Sequence, residues 1–337
     1  MDLPTSAGAN PFNSTLQMDG QEGSTPAPEG REDRAQRWTR RRFLALGLGG
    51  ATTVIVAGAT GLELVSHGVL PGKQLLNQLD GACSVANPAL TFSPLGPSIS
   101  GNFYSHARNR AVGYTIAYPP GHKPGRTLPL VVMLHGFGGN HTNAVAGMSP
   151  AQAMALHVDG DLLAPMAIVT VDGGGGYWNP HPGDDPMAMV IDELVPLCQR
   201  MGLGQPPQRI GVMGISMGGY GALLLAERYP HLIDAVAAIS PAIWTSYDQA
   251  RSANAGAYAS ADAFTANDAV THAAALAATP VRVASGDSDP FHQGVEALAR
   301  VLPPGADVVF ANGCHTGAFF TSQEPASLSF LAQHLTA

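Results

Sequence analysis

At 337 residues, with 45% hydrophobic and 12% charged side chains, the chain holds enough apolar sequence for one large buried domain with appendages or for two modest ones. Its net charge of −8 falls wholly after position 42: six arginines (Arg31, Arg34, Arg37, Arg40, Arg41, Arg42) balance six acids before that point, and 11 bases face 19 acids beyond it. An acidic body argues against a nucleic-acid partner. Cys83, Cys198 and Cys314 stand at no zinc-binding or redox spacing. In an exported protein two of them can pair and leave the third free, and the sequence does not choose the pair; small buried residues are the plain alternative.

Residues 1–42 form a polar amino-terminal region, basic at its end, whose Gly, Pro, Ser, Thr, Asn and Gln content predicts disorder. The segment Thr39-Arg40-Arg41-Arg42-Phe43-Leu44 resembles a twin-arginine export signal. The twenty residues from Phe43 to Leu62 carry no charge. At about 1.5 Å per residue they are long enough to cross a hydrocarbon core of about 30 Å. Two outcomes stand side by side. Cleavage at Ala57-Gly58-Ala59 releases the protein, or residues 43–62 remain as a single membrane anchor with the arginines in the cytoplasm. Residues 63–100 read as a linker with one short helical pattern (Val69, Leu70, Leu75, Leu76, Leu79) before a Pro/Ser/Gly-rich passage.

From 101 to 337 short β-rich runs alternate with Ala/Leu-rich helical ones. Strands are predicted at 113–118, 130–134, 167–171, 209–213, 235–239, 281–285 and 307–310. Helices are predicted at 185–201, 217–229, 267–278, 294–302 and 324–335. Several strands are apolar throughout, as strands covered on both faces are. The alternation predicts an α/β three-layer sandwich with a mostly parallel central sheet.

Within that body Gly214-Ile215-Ser216-Met217-Gly218 is a G-x-S-x-G run placed between a strand and a helix, the context of a nucleophile elbow. Glycines on either side let neighbouring chain pack against the turn. The amino end of the following helix faces any negative charge that develops beside Ser216. A nucleophilic serine needs a base, a group to orient it and an oxyanion hole. The acid comes from Gly286-Asp287-Ser288-Asp289-Pro290 after an apolar strand. Asp289 is preferred, being past the turn, and Asp287 is the alternative. For the base, His292 is too near the acid in sequence and His334 lies in the terminal helix, which leaves His315 in the loop after the last strand. Backbone N–H groups of Phe137, in His135-Gly136-Phe137-Gly138-Gly139, and of Met217 are the predicted oxyanion donors. His135 reads as structural. The glycine run lacks the Lys-Ser/Thr ending of a phosphate loop.

Tyr177 and Trp178, in a glycine-rich loop, are candidates for the substrate pocket wall, as is Trp244, with Tyr247, in a segment that serves as a small lid or as plain surface loop. His181, Asp184 and Asp185 read as loop-capping groups, and no metal is expected.

The pieces "LHGFGGN", "GISMGGYGALLLAERYP", "GDSDPF" and "GCHTGAFF" together resemble the esterase D-like branch of the α/β-hydrolases, which includes feruloyl esterases, S-formylglutathione hydrolases and mycolyltransferases. The resemblance covers roughly residues 110–337 and implies acyl-ester chemistry without a metal or organic cofactor. It leaves three readings. The first is an exported serine carboxylesterase acting on an acyl-ester or lipid substrate. The second is an envelope acyltransferase using the same three side chains. The third is a membrane-tethered, catalytically silent binding protein.

Overall fold

A computed structural model describes residues 81–335 apart from 87, 145–147, 208 and 209. The twin-arginine-like run, the 43–62 stretch and the short helical pattern before residue 80 lie outside the described residues.

Eight strands form the main sheet: β2 (Ser98–Ser105), β3 (Arg110–Ala117), β4 (Leu130–Leu134), β7 (Ala167–Val171), β8 (Ile210–Ile215), β9 (Ile233–Ile239), β10 (Val281–Gly286) and β11 (Asp307–Ala311). Their order is β11-β10-β9-β8-β4-β7-β3-β2. Every pair from β11 to β7 is parallel, and β3 and β2 add an antiparallel edge. A second small sheet joins β1 (Thr91–Phe92), β5 (Leu156–Val158) and β6 (Asp161–Leu162) in antiparallel pairs.

Alternation along β4 shows why the sheet is covered on both faces. Leu130, Val132 and Leu134 enter one apolar core and Val131 and Met133 the other, all fully buried. The first core is closed by α2 (Pro186–Ala188, Met189–Leu194 and Val195–Arg200 in succession, the middle piece a π-helix), α3 (Met217–Arg228) and α7 (His292–Ala299). The second is closed by α1 (Pro150–Met154) and α8 (Gly317–Leu335). This is the mixed, mostly parallel three-layer sandwich that the strand and helix alternation predicts.

The elements depart from their predicted bounds in instructive places. The stretch assigned to a linker enters the fold, because β2 begins at Ser98 and pairs with β3 along eight residues. Its half-buried Ile99, Gly101 and Phe103 alternate with exposed neighbours, a period of two hidden among Pro, Ser and Gly. Helix α8 starts at Gly317 rather than at 324 and runs through Pro325. A proline there removes one backbone hydrogen bond, and burial of Phe319, Leu328, Leu331 and Leu335 outweighs that loss. The segment after Trp244 folds into α4 (Tyr247–Ala253) and α5 (Ala261–Ala266), capped by Ser246 and Ser260. A short α6 (Ala269–His272) then leads into a 3₁₀ stretch, Ala273–Ala278.

Candidate active site

The elbow forms where β8 meets α3. Ser216 holds φ 57° and ψ −120°, a conformation that L-residues rarely adopt. Its backbone is pinned on several sides. Ser216 N–H donates to Ile239 O at 2.9 Å, and its own carbonyl accepts from Tyr220 and Ala242 at 3.0 Å each. A Cβ on Gly214 would fall 2.1 Å from Gly218 O, and one on Gly218 would fall 2.0 Å from Leu134 O. Both glycines of the motif are therefore required by close backbone approach as well as by the turn.

His315 sits in the irregular loop between β11 and α8. Its Nε2 lies 2.8 Å from Ser216 Oγ and its Nδ1 lies 2.8 Å from Asp289 Oδ2. With Nδ1–H donating to the carboxylate, Nε2 is free to accept the serine proton. The Asp289 side chain is fully buried, and its second oxygen accepts from Phe291 N–H at 2.9 Å. Asp287 is exposed, so Asp289 is the carboxylate that the fold turns toward the histidine. Rings brace the imidazole: Phe291 and Phe320 lie edge-on to it, with centroids at 5.1 and 4.9 Å.

A cavity of about 440 Å³ opens beside Ser216 and His315, walled by Phe137, Ala144, Ile215 and Phe320 over the glycines 136, 138 and 139, with Asn143 at its rim. Phe137, 59% exposed, brings the predicted donor loop to this cavity, and Met217 is the first residue of α3. The loop is held from behind. His135 is buried, its Nδ1 at 2.8 Å from Gly136 O, and its Nε2 accepts from Gly173 N–H at 2.9 Å. That pairing places the ring proton on Nδ1, and burial holds the imidazole below its ordinary pKa, hence neutral. Asp172 adds a second tie, accepting from His141 N–H and Gly113 N–H at 2.9 Å each. His135 is thus structural, as its place in the loop predicts.

The three aromatic candidates do not wall the cavity. Trp178 is 1% exposed, packs on the His135 ring and donates its indole N–H to His135 O at 3.1 Å. Tyr177 is 4% exposed and packs among Tyr220 and Tyr258. Trp244 reaches the site only indirectly, edge-on to Phe291, which in turn touches His315. An aromatic pair beside a glycine loop suggests a pocket wall, but both residues take positive φ and turn into the core. Phe320 is the aromatic wall that sequence reasoning passed over. It lies on the first turn of α8, which the proline at 325 concealed.

Asp184 forms an ion pair with buried Arg108 at 2.6 Å, and Asp185 caps α2. Among the described residues no cluster of His, Cys, Asp and Glu is arranged to hold a metal.

A serine on a strained strand-to-helix turn, hydrogen-bonded to a histidine and a buried acid that follow it in chain order at the carboxyl ends of a parallel sheet, defines the α/β-hydrolase class. The family model described as "Putative esterase" matches residues 105–303, and the chain belongs to this esterase family, the serine ester hydrolases. Solved structures of similar fold include a ferulic acid esterase (17% identity, TM-score 0.56, 72% of this chain and 100% of the other). The S-formylglutathione hydrolase from Agrobacterium tumefaciens is similar at 16% identity and TM-score 0.56, over 74% of this chain and 100% of its own. Mycobacterium tuberculosis MPT51 is similar at 18% identity and TM-score 0.52, over 73% and 99%. At such identities the likeness speaks to the fold. No curated protein matches the chain.

Proposed function

We propose that the chain is an exported carboxylesterase that works through an acyl-enzyme on Ser216. The observation that carries the reading is the continuous hydrogen-bonded series from Ser216 Oγ through His315 to buried Asp289, opening into one cavity. Ser216 Oγ attacks the ester carbonyl carbon while His315 Nε2 takes its proton, and Asp289 stabilises the imidazolium through Nδ1–H. The N–H groups of Phe137 and Met217 meet the tetrahedral oxyanion. Collapse breaks the bond to the alkoxy oxygen, which leaves as alcohol with the proton from His315. Water, deprotonated by His315, then attacks the acyl carbon and releases carboxylic acid and free Ser216.

The cavity wall supports a neutral, apolar acyl group of modest size. Phe137, Ala144, Ile215 and Phe320 offer apolar surface, and among the described residues no Asp, Glu, Lys or Arg lines the cavity. Export is supported by the Thr39–Leu44 run with the uncharged stretch behind it, and by a Cys83–Cys314 disulfide, a bond that persists in oxidising compartments.

The reading is tested with p-nitrophenyl esters of increasing acyl length and of neutral against carboxylate-bearing acyl groups. Turnover should peak at short to medium neutral chains and fall with a charged one. Equal rates on charged and neutral esters would contradict the assignment of the cavity. Diversion of acyl product from free acid to an added sugar or lipid hydroxyl would replace hydrolysis by transfer.

A further inference from the structure

The loop that carries His315 has no ladder partner of its own between Asn312 and Thr316. It is held from two sides. On the sheet side, Gly313 O accepts from Ser288 N–H at 2.9 Å, which ties it to the turn bearing Asp289. On the other side stands a segment from far upstream. Cys314, the residue before His315, is disulfide-bonded to Cys83 across a separation of 231 residues. Asn312 Nδ2 donates to Ser84 O at 2.8 Å. A Cβ on Gly313 would lie 3.1 Å from Val85 Cγ2, so the Val85 side chain packs directly on Gly313. Three consecutive residues, 83–85, thus meet three consecutive residues, 312–314. Cys314 itself is only 5% exposed, and Cys83 is half-buried.

We infer that Cys83, with Ser84 and Val85, is a positioning element for catalysis: it fixes the loop that sets His315 Nε2 at hydrogen-bonding distance from Ser216 Oγ. Residues 83–85 and the His315 loop both lie outside residues 105–303, the stretch that the family model matches. A covalent tie next to the base matters because proton transfer needs both heavy atoms held within a few tenths of an ångström. The inference rests on the reading of His315 as the base.

The test uses the full-length chain, with active sites counted by a fluorophosphonate probe before turnover of p-nitrophenyl acetate. In Cys83→Ser/Cys314→Ser the labelled stoichiometry should stay at one per chain. The labelling rate and kcat per labelled site should fall about tenfold, with KM little changed, because misplacement of the base slows chemistry more than binding. Dithiothreitol, which reduces the disulfide to two thiols and is itself oxidised to a cyclic disulfide, should bring wild type to the same rate and leave the double variant unaffected. Asn312→Ala, which removes one non-covalent tie, should show a smaller fall of the same kind and serves if the double variant fails to fold. Wild-type kcat per labelled site in the double variant or in reduced wild type would overturn the inference. So would a loss of labelled sites with an unchanged rate at those remaining, the pattern of a merely structural bond. Failure of the underlying reading looks different: His315→Ala would then turn over ester as wild type does.

Discussion

The elbow around Ser216 and the loop around His315 are built in opposite ways. Ser216 sits in five consecutive residues pressed backbone to backbone into the sheet, with β4, β8 and β9 all within contact of the turn. His315 sits in an irregular loop whose place depends on a turn 26 residues before it and on a segment more than 200 residues away. The nucleophile is held by close backbone approaches within the sheet, and the base by a side-chain hydrogen bond and a crosslink to its loop. Substitutions of the packed glycines should therefore cost stability at the first region, and substitutions around His315 should cost rate at the second.

The largest expected effect on rate separates the two aspartates. Asp289→Asn should lower kcat by about 10⁴-fold, since the amide cannot hold His315 in the tautomer that accepts the serine proton. Asp287→Asn, at an exposed position two residues away, should leave kcat near wild type. Steady-state kinetics on the two variants decide it, and a reversed order would move the acid to Asp287.

At the elbow the expected loss is of fold. Gly218→Ala would drive a methyl group against Leu134 O and should cost about 3 kcal/mol of stability by overpacking. Gly317→Ala, at the start of α8 in the other region, meets nothing within 4 Å and should leave the melting temperature near wild type. Thermal denaturation of both variants compares dense elbow with open loop directly. Equal losses would erase the distinction.

A third prediction is a pH slope. Glu227, on the elbow helix α3, is pushed up to about 9 by burial, with Asp268 adding to the rise and Arg228 opposing it. Its folded-state pKa lies above its ordinary value of 4.5, so the stability it contributes is complete below about 4.5 and is lost as pH rises through about 9. Unfolding free energy should decline across that window in wild type and decline less in Glu227→Gln. Parallel slopes in urea titrations at pH 5, 7 and 9 would show that Glu227 ionises freely.

What the sequence revealed follows the same division. The elbow was legible because its constraints act within Gly214–Gly218 and the apolar runs beside it. Strands β4 and β7 were legible because burial on both faces leaves unbroken apolar runs. The choice between Asp287 and Asp289 was open in sequence, since both follow the same strand and only the packing of residues 286–291 against the His315 loop buries one of them. The partner of Cys314 was equally open, because nothing near Cys83 marks it as a neighbour of the last loop. Phe320 was hidden by Pro325, a strong local stop signal overridden by the burial of α8 on the sheet. Tyr177 and Trp178 misled for the converse reason: aromatic type marks a buried surface without saying whether it faces a ligand or the core.

The central claim is that Ser216 carries the acyl group. Wild type and Ser216→Ala are mixed with p-nitrophenyl butyrate, quenched in acid within the first turnover and examined by intact and peptide mass spectrometry. The account predicts one butyryl group per chain in wild type, located on the peptide containing Ser216, and none in the variant. A butyryl group on another residue, or turnover of Ser216→Ala at the wild-type rate, would contradict it.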